Sequence, residues 1–447
     1  MKERKTMDKF MNKLEGFLNK YILPIANRVN DNKVITAIKD GMMYAIPVIL
    51  FASIVLILTN FPFLNEVAPG LSEWLNEILG FVSNSTMGLL SIFVIIGTSN
   101  SYSKSKNIDP IYGLLAAMGA YLIVTPTSLV GEVLIDGKSV NGAEIANVIS
   151  TEYLGASGIF AALIITIVAI AIYASIYHRD ITIKMPESVP ENVTKPFLSI
   201  VPFALTMIVF IVIRNLMSLT IYASLPEAIS QLLTKPLLGL GNNIWAFLFL
   251  IFIGQILWFF GIHGTNITIN AIWAPIATVA MVQNLEAYSA GEPLPYVLTA
   301  AFLAFTAQAK LSEIIALLVL GKSQRAKSIG KMSLVPALFN IHEPFIFGLP
   351  IVLNTTLFLP FVFVEVIQAG LAYFLMNLTG AIAVFQVPWT APPIISQLIA
   401  TNFNPWSVVI AVVTFAVGFI LWAPFIKLLD KQYLEEEATA KKEETTI

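Results

Sequence analysis

Residues 159–176 read IFAALIITIVAIAIYASI, a run that contains no charged side chain and is apolar on every face of a helix. A helix of about 20 apolar residues crosses a bilayer hydrocarbon core of roughly 30 Å. A strand of a membrane β-barrel would instead alternate apolar and polar residues over about ten positions. The run therefore predicts a membrane-spanning α-helix and excludes a barrel.

Comparable apolar runs recur along the whole chain. Its 447 residues are 57% hydrophobic and 12% charged, whereas a soluble domain carries about 25% charged residues. The predicted fold class is an all-α polytopic membrane protein with about ten transmembrane helices in the lipid bilayer. We predict spans at residues 43–60, 81–99, 110–125, 158–177, 197–216, 243–261, 265–282, 296–320, 355–376 and 406–424.

The basic residues are concentrated on one predicted side of the membrane. When the spans alternate, 22 of the 26 Lys and Arg residues fall in five regions on that side, at residues 1–39, 103–107, 178–195, 321–331 and 427–442. The loops on the other side contain only Lys138 and Lys235. Because cytoplasmic loops carry the excess of lysine and arginine, we expect both termini in the cytoplasm and the protein in an inner (plasma) membrane.

Two later segments, residues 333–351 and 383–401, are apolar but interrupted by several prolines each. Proline breaks a continuous helix, and irregular backbone at membrane depth is tolerated only where it is buried in protein or lines a wet cavity. We therefore predict re-entrant hairpins in the C-terminal half.

The chain is predicted to divide at a polar stretch near residues 219–240. The predicted parts are a cytoplasmic amphipathic segment at 1–40, an N-terminal transmembrane scaffold and dimerisation domain at 41–218, an interfacial linker at 219–240, a C-terminal domain with the hairpins at 241–426, and a charged cytoplasmic tail at 427–447.

Two short motifs place ionisable groups in apolar surroundings: WFFGIHGTN at residues 258–266 and NIHEPFIFG at residues 340–348. An ionisable residue at membrane depth costs several kcal/mol and by default marks a substrate or ion pathway. We favour that interpretation for Glu343 and for His263 over a structural anchor of a broken helix. For His342, a structural role is at least as well supported.

Further candidates are polar groups at or near predicted spans. Lys310 and Glu313 stand three residues apart, so an ion pair and a ligand contact are equally open. Arg214 lies near a span end, where it either snorkels to the interface or faces a ligand, and Glu365 has no obvious local partner.

Sugars are held by amide and carboxylate hydrogen bonds and by aromatic rings stacked on their C–H faces. Trp389, inside a proline-rich segment, is a stacking candidate, whereas Trp406 and Trp422 fit an interfacial belt. The predicted substrate-binding set is Gly264, Thr265, Asn266, Asn340, Lys310, Trp389 and Arg214. The chain has no cysteine, which excludes a disulfide, a thiolate metal site and a cysteine nucleophile, and we predict no metal, no cofactor and no nucleic acid partner.

At these motifs the chain resembles enzyme IIC of the lactose, cellobiose and N,N′-diacetylchitobiose branch of the bacterial phosphotransferase system, over nearly its full length. The strongest stretches are NIHEPFIFGLPIVLN at 340–354 and FFGIHG at 259–264. The resemblance implies a homodimer, an N-terminal scaffold, and a C-terminal transport domain that moves a bound disaccharide across the bilayer by an elevator mechanism. It maps the family's glutamate and histidine onto Glu343 and His263.

The resemblance also implies a partner, enzyme IIB, whose phosphocysteine phosphorylates the 6-hydroxyl of the sugar. Because this chain has no cysteine, we expect the donor on a separate IIB protein, with Glu343 as base and His263 as the catalytic residue that orients the hydroxyl or stabilises charge. The alternative is a cation-coupled sugar symporter in which Glu343, Glu365 and Lys310 form a proton or sodium relay. A non-transporting scaffold explains the proline-broken segments poorly.

Overall fold

The structure is a computed structural model that describes residues 31–61, 64–135, 138–149, 151–186, 189–306, 309–349 and 351–444, together with 20, 24 and 28. Most of the predicted amphipathic segment at 1–40 lies outside these residues. The described residues form two compact units, one within 31–59 and 74–239 and the other within 60–73 and 240–444. The predicted domain boundaries remain predictions.

Helices dominate the first part of the chain. The long ones are α1 (Lys33–Thr59), α2 (Leu90–Ser105), α3 (Pro110–Val124), α4 (Ile159–Tyr177) and α5 (Glu191–Met217). Shorter α-helices lie at Leu64–Val67, Pro69–Leu79, Phe81–Thr86, Thr151–Leu154, Leu225–Ile229 and Lys235–Gly241, with 3₁₀ turns at Met87–Leu89 and Ala156–Gly158 and a π-helix at Ser230–Thr234.

The helical class is confirmed, with a β-hairpin that the sequence analysis did not predict. Strands β1 (Ser128–Ile135) and β2 (Lys138–Ala146) pair antiparallel, from Ser128 opposite Ala146 to Ile135 opposite Lys138. The sequence between the strands is Asp-Gly, the dipeptide most typical of two-residue hairpin turns. This turn signal lies in a loop for which hydropathy alone predicts no regular structure.

Small residues let α1 and α2 pack closely. A Cβ atom on Gly97 would lie 2.6 Å from the Tyr44 Cβ and 3.0 Å from the Gly41 Cα. Helix pairs in membranes gain little from apolar burial, so close backbone approach at glycine supplies the van der Waals contact instead. We infer that this glycine pair sets the spacing of the two helices.

The second part of the chain is more broken. Its main helices are α6 (Ile244–Phe259), α7 (Ala274–Ala290), α8 (Ala309–Leu320), α9 (Gln324–Leu338), α10 (Glu343–Gly348), α11 (Phe358–Thr379), α12 (Ile395–Ala400) and α13 (Trp406–Glu444). A π-helix covers Asn266–Trp273, a 3₁₀ turn Ala300–Phe302 and a short α-helix Leu303–Thr306. The predicted span at 265–282 thus begins as a π-helix rather than as a regular α-helix.

Among the described residues, seven helical stretches are long and apolar enough to cross a membrane. A further pair, Leu225–Gly241 and Ile244–Phe259, passes the same test together but is bent by 69°. Helix α3 is apolar but shorter. The seven stretches are Lys33–Thr59, Pro69–Ser105, Ala156–Tyr177, Glu191–Met217, Ala300–Leu320, Phe358–Thr379 and Trp406–Ala440.

The C-terminal part of α13 forms hydrogen bonds with the loop that precedes α9 and with the first residues of α9. Asp430 is buried, and its Oδ1 accepts hydrogen bonds from the Ser323 backbone N–H (2.9 Å) and hydroxyl (2.7 Å). Its Oδ2 accepts from the Lys322 N–H at 2.8 Å, and Glu437 accepts from the Arg325 N–H at 3.0 Å. Carboxylates at a helix N-terminus satisfy free N–H groups, so these contacts fix the start of α9, which leads to the NIHEP motif.

Candidate functional site

The first motif lies where α6 ends and a π-helix begins. Gly261 has a φ of +81°, a left-handed conformation that favours glycine. A Cβ on Gly264 would lie 1.9 Å from the Gly254 carbonyl oxygen, so only glycine fits there. Next to this turn the Trp258 indole N–H donates to the Thr265 hydroxyl at 3.1 Å. The predicted site residues Gly264 and Thr265 therefore shape the turn that carries His263.

The His263 ring is exposed, and two contacts orient it. Its centroid lies 4.3 Å from the Trp258 ring, and its Nδ1 accepts from the Asn266 backbone N–H at 3.4 Å. When Nδ1 accepts a hydrogen bond, the proton of a neutral imidazole is on Nε2. The Asn266 side chain in turn accepts from Asn270 at 2.9 Å. His263 is thus oriented with Nε2 as a hydrogen-bond donor.

The second motif lies in the break between α9 and α10. Glu343 is the first residue of α10, Pro344 follows in its first turn, and the Glu343 side chain is exposed. One carboxylate oxygen accepts from the His342 backbone N–H at 3.1 Å. Among the described residues this contact engages one oxygen of an exposed carboxylate, and a general base needs an oxygen that can reach the proton it accepts.

A backbone hydrogen bond connects the first motif to the segment that follows the second. The Leu353 N–H, in the segment after α10, donates to the Phe259 carbonyl at the end of α6 with a distance of 3.0 Å. The Phe259 ring is fully buried and packs edge-on against Phe358 at 4.9 Å between centroids. The turn that carries His263 is therefore packed against the segment that follows Glu343.

Trp389 is joined to the second motif by Asn340. The Asn340 side-chain amide donates to the Trp389 carbonyl at 2.5 Å and to the Ala391 carbonyl at 3.2 Å. The Trp389 side chain is 69% exposed. The two predicted hairpin segments are thus in contact, and within the described residues neither contains a helix of spanning length.

Lys310 lies in a closed, buried cluster. Its Nζ is 3.1 Å from Glu365 Oε2, 3.3 Å from Glu313 Oε1 and 3.3 Å from Gln255 Oε1, and it lies 4.3 Å from the centre of the Phe361 ring. Of the two alternatives that the spacing of Lys310 and Glu313 left open, the structure contains the ion pair. An ammonium group has three hydrogens, and three acceptors engage them here.

Arg214 belongs to the other unit, at the C-terminal end of α5. Its guanidinium donates to the carbonyls of Ile123 (2.5 Å) and Thr125 (3.2 Å) and to the Thr127 hydroxyl (3.1 Å). These acceptors lie at the end of α3, where cations complement free carbonyl groups. The observed contacts are structural ones, and a substrate contact of Arg214 stays a prediction.

Among the described residues no cluster of three or more His, Asp or Glu side chains could hold a metal ion.

Comparisons with known proteins agree on one family. Residues 39–364, which include both motifs, match the family model described as Phosphotransferase system, EIIC. The chain is similar to the PTS system oligo-beta-mannoside-specific EIIC component of Bacillus subtilis (strain 168), with 34% identity over 438 residues that cover 96% of this chain and 97% of that protein.

Two further proteins are similar to the chain over most of its length. The PTS system lactose-specific EIICB component of Staphylococcus haemolyticus (strain JCSC1435) is 31% identical, over 96% of this chain and 72% of that protein. The crystal structure of ChbC, the IIC component from the N,N′-diacetylchitobiose-specific phosphotransferase system, aligns with a TM-score of 0.85 and 30% identity, over 94% of this chain and 99% of that chain.

Proposed function

This chain belongs to the EIIC family, the membrane-embedded sugar permeases of the phosphotransferase system, and from that premise we propose that it carries a β-linked disaccharide of the cellobiose, N,N′-diacetylchitobiose or lactose class. It binds the sugar, moves it inward and presents the 6-hydroxyl to a phosphorylated IIB protein. Support for this sugar class comes from the names of the relatives, which specify an oligo-beta-mannoside, lactose and N,N′-diacetylchitobiose.

One observation carries the proposal: the exposed side chains of His263 and Glu343 stand on two motifs, and the Leu353–Phe259 hydrogen bond joins the first motif to the segment that follows the second. Phosphoryl transfer needs little covalent chemistry from the protein beyond positioning and charge stabilisation. In the proposed step the sugar 6-oxygen forms a bond to phosphorus, the S–P bond of the IIB phosphocysteine breaks, and the cysteine leaves as a thiolate. The hydroxyl proton passes to the Glu343 carboxylate.

His263 supplies the second role. With Nδ1 occupied by the Asn266 N–H, its Nε2–H donates to the sugar hydroxyl or to an oxygen of the arriving phosphoryl group. A preorganised donor aimed at developing negative charge is among the strongest contributions that a protein makes to catalysis. Asn266 and Asn270 lie beside it and are proposed to bind sugar hydroxyls.

Trp389 is proposed as the platform on which one sugar ring stacks, because its indole is largely exposed while its carbonyl is anchored. We expect Trp389→Ala to weaken sugar binding by on the order of 1 to 2 kcal/mol, roughly 5- to 30-fold in Kd, with the fold intact. Isothermal titration calorimetry measures the loss. Trp406→Ala, at another exposed indole, should leave Kd unchanged. An unchanged Kd for Trp389→Ala would remove the stacking role and favour a place in the interfacial belt.

The proposed topology places both termini in the cytoplasm, about ten spans, and the segments at 333–351 and 383–401 as re-entrant hairpins. The first unit acts as the dimer scaffold and the second as the moving transport domain. The relative that fuses IIC with IIB in one protein supports the IIB partnership.

Cysteine labelling tests this orientation, since the chain has no cysteine of its own. We expect Lys327→Cys to react with a membrane-impermeant maleimide in inverted vesicles but not in right-side-out vesicles, and Ser139→Cys to show the opposite pattern. The reason is the lopsided distribution of basic residues. Labelling of Lys327→Cys from outside sealed cells would overturn the topology.

A further inference from the structure

Asn340 has a backbone conformation that few residues adopt. Its φ is +59°, in the left-handed region where asparagine and aspartate are enriched and glycine is unstrained. The chain reaches this residue directly after α9, where the Asn340 N–H donates to the Ala337 carbonyl at 3.0 Å. Three residues later α10 begins at Glu343. The position is therefore a sharp corner between α9 and the predicted base.

Both donor hydrogens of the Asn340 side chain are already in use. They point to the carbonyl oxygens of Trp389 and Ala391, and two acceptors require that the amide nitrogen, not the oxygen, faces them. Its Oδ1 is buried and has no partner among the described residues. An amide bound in this way has no donor left for a sugar hydroxyl.

We propose that Asn340 is a positioning residue, which ties the loop that carries the Trp389 stacking platform to the corner that carries the Glu343 base and so fixes the distance between the two. This inference rests on the proposed function, because it requires that Trp389 and Glu343 belong to one sugar site. It assigns Asn340 an action through Trp389 in place of direct donation to the substrate.

Two requirements together, a positive φ and two donor hydrogens on a short side chain, explain why this residue is asparagine. Glycine meets the backbone requirement but has no donor, and aspartate meets it but presents only acceptors to the two carbonyls. Glutamine carries the amide on a longer side chain and is less suited to positive φ. Asparagine alone combines a short amide with tolerance of this conformation.

A double-mutant cycle on sugar affinity distinguishes the proposed role from a direct contact. Trp389→Ala and Asn340→Gly are each expected to raise the Kd for the bound disaccharide by roughly 5- to 30-fold. Because Asn340 acts through the Trp389 loop, Asn340→Gly should change Kd less than about 2-fold in the Trp389→Ala background, since residues that act as one unit are not additive. A direct ligand, or a residue that only stabilises the fold, would give effects that multiply.

Asn402 offers a matched control. It too has a positive φ, +52°, and its amide donates to two oxygens, the Asn60 carbonyl at 3.2 Å and the Tyr288 hydroxyl at 2.7 Å. Its Oδ1 is likewise buried and unpartnered among the described residues. Asn402→Gly removes the same kind of tie elsewhere in the same unit, so it should leave the Kd for sugar unchanged.

Asn340→Asp provides a second variant where Asn340→Gly does not fold, as judged by gel filtration in detergent. It keeps the size and backbone preference of asparagine and loses both donors, so we expect the same 5- to 30-fold rise in Kd and the same non-additivity. Wild-type affinity of either variant, or multiplicative effects in the cycle, would overturn the positioning role. Failure of the wild type itself to bind any of the proposed disaccharides would instead overturn the proposed function.

Discussion

Replacement of Glu343 with glutamine is expected to lower sugar phosphorylation by about 100-fold or more, because general-base catalysis typically contributes 10²- to 10⁴-fold. The amide cannot accept the proton of the 6-hydroxyl as the phosphoryl group arrives. It still accepts a hydrogen bond from the His342 N–H, the contact that orients the carboxylate. We therefore expect the variant to insert normally and to retain part of its sugar binding.

The measurement is sugar phosphate formed by membrane vesicles that are supplied with phosphorylated IIB protein. Glu292, an exposed carboxylate in the same unit, provides the control, and Glu292→Gln should react at the wild-type rate. His263→Gln should also impair turnover, since the ring donor is lost. Wild-type product formation by Glu343→Gln would remove the base assignment.

Replacement of Lys310 with methionine is expected to destabilise the protein by roughly 3 to 5 kcal/mol, because it leaves buried carboxylates without their cation. The side chains of Lys310 and Glu313 are 7% and 0% exposed, and that of Glu365 is 19% exposed. Denaturant unfolding in detergent, followed by circular dichroism, measures the loss.

The combined variant Lys310→Met, Glu313→Gln, Glu365→Gln separates stability from ligand binding. Replacing a whole buried ion cluster with neutral groups removes the unpaired charges, so we expect it to recover most of the stability that Lys310→Met loses. Because the Lys310 hydrogens are all engaged by protein acceptors, the combined variant should also bind sugar. Loss of binding with recovered stability would show that at least one of these three side chains contacts the substrate.

The helical, membrane-spanning character of the protein follows from its sequence because the signal is local. In the run at 159–176 every residue favours the same conclusion, and α4 forms over Ile159–Tyr177. The β-hairpin at 128–146 was missed because its strands are weakly patterned and its Asp-Gly signal is a single dipeptide. The predicted count of about ten spans stays a prediction, since α3 is short and the bent pair is two helices.

The sequence indicated a contact within one helix better than contacts between distant segments. The i,i+3 spacing of Lys310 and Glu313 indicated their ion pair, since helical spacing is a local property. Gln255 and Glu365 complete the same cluster from α6 and α11, and no spacing rule reports a contact between distant segments. For the same reason the tie from Asn340 to the Trp389 carbonyl was not foreseen.

Arg214 and Thr265 illustrate a related difficulty. Their ligand contacts stay predictions, and in the structure the Arg214 guanidinium binds the end of α3 while the Thr265 hydroxyl accepts from an indole. A polar side chain in an apolar stretch forms its hydrogen bonds either with a ligand or with the protein itself, and the sequence composition is the same in both cases.

The fate of radiolabelled disaccharide enclosed in the lumen of sealed inverted vesicles, with phosphorylated IIB supplied outside, tests the central claim most directly. We predict that sugar phosphate forms only when the phosphodonor is present and that an uncoupler of the proton gradient leaves its rate unchanged. Transport of unmodified sugar that an uncoupler or removal of sodium abolishes, with no sugar phosphate formed from any of the proposed disaccharides, would contradict the account and favour a cation-coupled symporter.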